Sequence, residues 1–533
     1  MDDKERITEA GLKRKASYKI TVTGRENVSE LQCGEKESLL EAMVRQGIYV
    51  SAACGGRGTC GKCKLQLSEG ELEITAFDRA KLSEKELQEG YRLSCKAYPV
   101  SDCTVRLVSG NEEDFEIIAG NQSPAGEKAD YQEDCAVAID IGTTTIAVSL
   151  VGLRDKNTLK TFSTVNKQRA YGADVIARIQ ASNAGKKEAL RESIRKDLTG
   201  GIISVIEGAG IAKEQVKKIA IAGNTTMGHL LMGYSCETLG VYPFTPVNIA
   251  ETTLPFKEVF GTDYLKAPVT LLPGISTYVG GDIASGLLAC DFDRIEHPCL
   301  LIDLGTNGEM AIGNRDRIIV TSTAAGPAFE GGNISCGVGS VAGAICNVDI
   351  IGDSPDCRTI GGSTPIGICG TGVIETVSEL VRNKLVDETG LLSEEFFEAG
   401  YELAKDRDGK EITFTQRDIR EIQLAKAAVR AGIELLIGRY GIGCDDIDTV
   451  FLAGGFGYKM NIGKAVGIGL IPQELTGKIK AIGNSSLSGA VRYLTEEAAH
   501  ERMEHILSIS TEINLSNDKA FNDLYVDFMY FET

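Results

Sequence analysis

Four thiols set the chemistry of the first part of this 533-residue chain. Cys54, Cys60 and Cys63 fall at C-x5-C-x2-C within Cys54-Gly55-Gly56-Arg57-Gly58-Thr59-Cys60-Gly61-Lys62-Cys63, and Cys95 follows Leu93-Ser94. Closely spaced thiolates in a glycine-rich loop suit an iron–sulfur cluster. The ligands must converge on a small inorganic core, and the backbone must come near enough for its N–H groups to reach the sulfides. A structural zinc site usually presents two separated C-x2-C knuckles, and only one such pair exists here. A redox dithiol leaves Cys54 and Cys95 without a role. The pattern therefore reads as a [2Fe–2S] centre on Cys54, Cys60, Cys63 and Cys95.

The flanking residues supply elements to hold such a loop. Residues 18–23 alternate like a strand, and 28–33 return as a second. Ser38-Leu39-Leu40-Glu41 is a capping box opening a helix that Gly47 closes. Residues 64–67 and 71–74 are expected as a hairpin, and 102–108 as a last strand. Residues 17–109 resemble a β-grasp ferredoxin with adrenodoxin-like cysteine spacing. The first gap is five residues rather than the four of the plant type.

A second chemistry begins at residue 135. An apolar run there ends in Asp140-Ile141-Gly142-Thr143-Thr144-Thr145, and residues 300–304 repeat the pattern into Asp303-Leu304-Gly305-Thr306-Asn307-Gly308-Glu309. Residues 218–224, ending Ala-Gly-Asn, match 449–457, ending Ala-Gly-Gly-Phe-Gly. A strand, a D-x-G-T turn and a later strand–Gly turn thus occur twice in one order. This predicts a duplicated α/β domain with a cleft between its halves. In a D-x-G-T turn, glycine lets backbone N–H groups face an anion, threonine adds hydroxyl donors, and the carboxylate can hold water on Mg²⁺. A lone D-x-G-T is an ordinary strand-to-turn transition. The pair, with Gly454-Gly455 to approach a nucleoside, points to a polyphosphate clamped from both sides.

On these motifs, residues 135 to about 500 resemble the acetate and sugar kinase/Hsp70/actin (ASKHA) ATPases. The resemblance implies ATP on Gly142, Thr143, Thr144, Thr145, Gly305, Thr306, Asn307, Gly454 and Gly455, and Mg²⁺ near Asp140 and Asp303. Gly280-Gly281-Asp282 is similar to the Gly-Asp of the sugar-kinase branch, whose Asp is a general base. Asp282 is accordingly expected to orient the attacking water; its other reading is a cap for a helix over 283–289. Ala324-Ala325-Gly326-Pro327-Ala328-Phe329-Glu330-Gly331-Gly332 reads as a loop at the cleft or partner face, with Glu330 on ribose, or else as a rigid turn.

The pairing of a [2Fe–2S] domain with such an ATPase resembles the reductive activators of corrinoid proteins, and Ile368-Cys369-Gly370-Thr371-Gly372 belongs to the same likeness. It implies an enzyme that uses ATP to return a Co(II) corrinoid protein of a methyltransferase system to Co(I) by one-electron transfer. The partners implied are a corrinoid protein and a low-potential donor such as a ferredoxin or flavodoxin, with a homodimer compatible. Activation of an acyl-CoA dehydratase or reductase, or a small-molecule kinase with a fused electron carrier, are the competing readings. Some relatives carry a further segment between ferredoxin and ATPase, and here only a linker fits.

The expected division is a tail over 1–16, the ferredoxin over 17–109, a Gly/Pro-punctuated linker over 110–134, and ATPase halves over 135–275 and 276–533. The net charge of −19 argues against nucleic acid or an anionic membrane as partner. Eleven further cysteines are scattered without a second C-x2-C, residues 1–16 lack a signal-peptide core, and no run of eighteen apolar residues occurs, so a reducing, cytoplasmic setting is expected. Residues 423–436 and 487–509 read as amphipathic helices, the latter carrying His500 and His505 on a solvated face. The aromatic stretch 524–531 is expected to pack on the ATPase.

Overall fold

The computed structural model describes residues 17–24, 28–48, 50, 52, 54–107, 131–352, 354–454 and 460–532. They divide into two compact units, one of Met1–Glu113 with Lys167–Leu190 and the other of Asp114–Asn166 with Arg191–Thr533.

The first unit is built on a five-stranded sheet in the order Val28–Gly34, Ser17–Thr23, Cys103–Leu107, Lys64–Glu69, Tyr91–Leu93. Ser17–Thr23 runs parallel to Cys103–Leu107 and antiparallel to Val28–Gly34, the β-grasp arrangement expected. Tyr18, Ile20 and Val22 alternate inward onto Leu39, Leu40 and Met43 of the helix Leu39–Arg45. Ser38 caps that helix as the sequence indicates: its hydroxyl accepts from the Glu41 N–H, and the Glu41 carboxylate accepts from the Ser38 N–H. The hairpin expected between 64–67 and 71–74 does not form. Lys64–Glu69 pairs with Tyr91–Leu93 and Cys103–Leu107. Gly70, at φ +89°, turns the chain away, and Thr75 opens the capped helix Ala76–Lys81. Residues 167–190, expected inside the first ATPase half, pack in this unit. Lys186 pairs with Glu41 at 2.7 Å, and Arg57 donates to Gln180 at 3.1 Å.

The second unit contains two six-stranded sheets that share a plan. One runs Thr252–Pro255, Pro268–Leu271, Val216–Gly223, Cys135–Ile141, Thr145–Gly152, Thr158–Val165; the other runs Ile479–Gly483, Val450–Ala453, Cys299–Leu304, Gly308–Asn314, Arg317–Thr323, Ser510–Glu512. In each, three antiparallel strands are extended by parallel pairing of the first with a later strand, so the duplication expected from the sequence is present. Cys135–Ile141 is buried along nearly its whole length, as befits a strand covered on both faces.

The helices Gly281–Ala289 and Ser485–Thr495 cross at very close range. A Cβ on Gly489 would stand 2.0 Å from the Ser285 carbonyl oxygen, so no larger residue fits there. The cap of Gly281–Ala289 is Gly280, not Asp282, which lies in the first turn. The single helix expected over 487–509 is two, Ser485–Thr495 and Ala499–Ile509. The C-terminal stretch packs as expected. Lys426, buried on the helix Gln416–Tyr440, donates to the Phe528 and Tyr530 carbonyls at 2.6 and 2.7 Å, and Phe531 enters the core. Of the expected linker, only 131–134 are described, and the Tyr131 carbonyl accepts from Gln215. No helix among the described residues is long and apolar enough to cross a membrane.

Candidate functional site

The four cysteines meet in two pairs. Cys63 ends the loop just before Lys64, which sits opposite Leu93, and the Ser94 N–H donates to the Cys63 carbonyl at 2.9 Å. That register brings Cys95 against Cys63. Asp78, buried in its capping box, accepts from the Leu93 N–H at 2.8 Å and fixes the strand that delivers Cys95. Cys54 meets Cys60 because Gly55, Gly56 and Gly58 all take positive φ and curl the intervening chain. Cys54, Cys63 and Cys95 are buried, and Cys60 is the most exposed of the four.

This arrangement fits a [2Fe–2S] centre. No three metal-ligating side chains converge among the described residues. Such a centre takes only two protein ligands per iron, sulfide supplying the rest. The Ser94 hydroxyl is fully buried beside Cys63 with no oxygen or nitrogen partner, a donor placed for a thiolate sulfur.

The second constellation lies between the halves of the second unit. The hydroxyls of Thr144 and Thr306, one from each D-x-G-T turn, stand 3.2 Å apart, and each donates to Glu330 at 2.9 Å. The Glu330 carboxylate, on the short helical turn Pro327–Glu330, is held by the two D-x-G-T turns. Thr143 accepts from Asn224, the N-cap of Thr225–Met232, at 3.0 Å, and Asn166 donates to the Gly142 carbonyl at 2.9 Å.

Asp140 accepts from Asn484 and Ser486, both at 2.7 Å, so the first turn is held by the helix Ser485–Thr495 of the other half. Asp282, Asp303 and Glu309 lie in the same region. Glu309 is directly across the hairpin from Asp303 and accepts from Asn307 at 3.0 Å. Desolvation pushes the Asp282 carboxyl up to about 7, and the Asp140 charge adds to it. Asp303 rises to about 7 through desolvation and then the charges of Asp282 and Asp140. Glu309 is driven well above the usual carboxylate range by desolvation and then the charges of Asp282 and Asp303, and Asp140 is raised by desolvation against its two donors. Four carboxyls, those of Asp140, Asp282, Asp303 and Glu309, are thus close enough to raise one another's affinity for protons, and no group of three metal-ligating side chains converges among the described residues.

Gly454 takes φ +99° and leaves no room for a side chain: a Cβ would stand 2.3 Å from the Leu304 carbonyl oxygen. Gly455 lies outside the described residues. Asn224, Asn484, Ser486 and Glu309 were not singled out from the sequence. A signal existed for three of them, since Gly223-Asn224-Thr225-Thr226 and Gly483-Asn484-Ser485-Ser486 repeat a Gly-Asn-hydroxyl-hydroxyl turn.

Comparison with known proteins adds three family matches. Residues 21–100 match the 2Fe-2S iron-sulfur cluster binding domain, 135–295 the RACo middle region, and 297–533 the C-terminal domain of RACo, the ASKHA domain. The chain is 31% identical over 455 residues to the corrinoid activation enzyme RamQ of Eubacterium limosum, covering 79% of this chain and 75% of that protein. It is 27% identical over 429 residues to the [Co(II) methylated amine-specific corrinoid protein] reductase of Methanosarcina barkeri, covering 73% and 76%. A solved reductive activator for corrinoid, iron-sulfur protein superposes with a TM-score of 0.69 at 28% identity, over 96% of this chain and 98% of that one.

Proposed function

The chain belongs to the family of reductive activators of corrinoid proteins, and from that premise we propose that it couples ATP hydrolysis to delivery of one electron into a Co(II) corrinoid protein, yielding Co(I). The observation that carries the reading is the meeting of Thr144, Thr306 and Glu330, which joins the phosphate turns of both halves at one point. Bound phosphates would take those hydroxyls and pull the halves into one geometry.

Cys54, Cys60, Cys63 and Cys95 hold the [2Fe–2S] group, which supplies a one-electron couple near −400 mV for the plant type. If the cobalt couple lies ~150 mV lower, transfer is uphill by about 3.5 kcal/mol. Couplings between sites commonly reach 1–3 kcal/mol, so a nucleotide state that favours one corrinoid state closes most of that gap. Gly142, Thr143, Thr144 and Thr145 face the phosphates from one half, and Gly305, Thr306 and Asn307 from the other. Asp140 and Asp303 would hold Mg²⁺, which would neutralise charge on the phosphates. Asp282, in the first turn of Gly281–Ala289 with a carboxyl near neutrality, orients the attacking water and takes its proton. Asn484 and Ser486 keep Asp140 in place across the halves, so nucleotide turnover reaches the crossing helices directly.

The test is the partner dependence of hydrolysis. ATPase activity should rise when Co(II) corrinoid protein is added and stay unchanged with sugars or small acids. Phosphorylation of a small molecule, or hydrolysis indifferent to corrinoid protein, would overturn the reading.

A further inference from the structure

Charge is distributed unevenly along this chain. Residues 17–109 carry thirteen basic and thirteen acidic side chains, so the whole excess of −19 lies elsewhere. Within this neutral domain the signs are also segregated. Between Glu41 and Glu69 there is no Asp or Glu, while Arg45, Arg57, Lys62 and Lys64 occur, and the loop bearing Cys54, Cys60 and Cys63 lies inside that stretch. From Arg92 to Ser101, around Cys95, the charged residues are Arg92 and Lys96.

At one edge of the loop the structure places Lys96 of the second stretch beside Lys81, which comes from the segment 70–89 that also carries Glu71, Glu73, Asp78, Glu84, Glu86 and Glu89. Cys60 is the most exposed ligand, and Gly61 beside it stands against Lys81: a Cβ there would be 3.5 Å from the Lys81 Cβ. Gly58 is pressed against Phe77 and Lys96, which leave 2.7 and 2.9 Å for an added Cβ. Lys96 lies over the Phe77 ring at 4.8 Å, yet Phe77 is still 43% exposed, and Lys81 is exposed. The edge beside Cys60 is thus an aromatic side chain rimmed by cations, in direct contact with the cluster-bearing loop. The opposite flank, at Gly55 and Arg57, is occupied by Tyr171 and Gln180.

We propose that this edge, centred on Phe77, Lys81 and Lys96, is the landing surface for an external acidic one-electron carrier protein. The proposal rests on the cysteines holding the cluster, and names the donor surface for it. A donor is required because a [2Fe–2S] centre gives up one electron at each transfer and must then be reduced again. On docking, the carrier is oxidised by one electron and the cluster reduced by one, with no proton transferred. An acidic carrier fits by charge: it is drawn to the Lys81 and Lys96 ammonium groups, while the excess negative charge lies outside this domain. Phe77 supplies the apolar centre that such small, transient interfaces use.

Binding of oxidised acidic flavodoxin to the full-length, cluster-loaded protein tests this, by calorimetry at ~20 and ~200 mM salt. Lys81→Glu should weaken Kd by roughly tenfold or more at low salt, Lys81→Ala and Phe77→Ala by less, and wild-type binding should weaken as salt rises. Lys410→Glu, the same charge change on the exposed turn before Glu411–Phe414, should leave Kd unchanged. Equal Kd for wild type, Lys81→Glu and Lys81→Ala overturns the proposal. So does a Lys81→Glu protein that keeps flavodoxin but loses corrinoid protein, which would assign the edge to the client. Visible absorbance and EPR of each dithionite-reduced protein separate the cases: absence of a cluster signal in the wild type removes the cluster reading itself, and the proposal with it.

Discussion

Thr144 and Thr306 lie in turns 162 positions apart, and their hydroxyls are 3.2 Å from one another with Glu330 accepting from both. A carboxylate therefore occupies the donors that a phosphate would need. Nucleotide must displace it and tolerate its charge. Glu330→Gln should then bind ATP several-fold tighter than wild type in a metal-free titration, because removing one negative charge near phosphate lowers repulsion. Thr144→Val should weaken it. Isothermal titration of both variants checks the two opposite signs.

Asp282 is the residue assigned to the water. Asp282→Asn keeps the size and the first-turn position but cannot accept a proton. Hydrolysis should fall by at least ~10²-fold while ATP affinity stays within about threefold. Parallel loss of binding would mean that Asp282 serves the cation or the fold instead.

The raised carboxyls make stability depend on pH in a stated direction. In the folded protein burial pushes Asp282 and Asp303 up to about 7, against 3.8 for an ordinary aspartate. Between those values the native state holds protons that the unfolded chain has released. This contribution therefore lowers stability as pH climbs from about 4 to about 7, and is constant above that. Nucleotide-free Asp303→Asn should melt higher than wild type at pH 8, with the gap closing toward pH 5. Saturating Mg²⁺ should raise the wild-type melting temperature at pH 8 and leave the variant nearly unmoved. Calorimetric scans across that range read both.

Cys63→Ala should abolish the cluster's visible and EPR signals but leave nucleotide binding within twofold, because the cysteines and the nucleotide residues belong to separate compact units. Asn484→Ala removes one of the two donors to the part-buried Asp140 carboxylate. A loss of about 1–3 kcal/mol is expected for the unit that carries it, read by denaturant titration.

Much of this molecule was legible because its signals are local. Ser38 and Glu41 announce a helix start within four residues, and the apolar run of Cys135–Ile141 marks a strand covered on both faces. The duplicated D-x-G-T turns gave the two-halved plan. What escaped was set by distant partners. Asn484 holds Asp140 across 344 positions, and only the repeated Gly-Asn-hydroxyl-hydroxyl turn hinted at it. The meeting of Glu330 with Thr144 and Thr306 was not foreseen, because loop sequence carries no information on which turn it folds against. Glu69, Glu71 and Glu73 alternate with apolar residues like a strand, but Gly70 redirects the chain, and Tyr91–Leu93 takes the partner position. The break between Ser485–Thr495 and Ala499–Ile509 carries no Gly or Pro, so periodicity ran through it unmarked.

The central claim is that nucleotide turnover and electron delivery act on one client. The most direct measurement is anaerobic: dithionite-reduced protein is mixed with Co(II) corrinoid protein, and Co(I) absorbance is followed with ATP, with a non-hydrolysable analogue, and with neither. Substantially more Co(I) with ATP than in the other two, matched by loss of the reduced-cluster EPR signal, is the predicted result. The same Co(I) yield in all three would contradict the account.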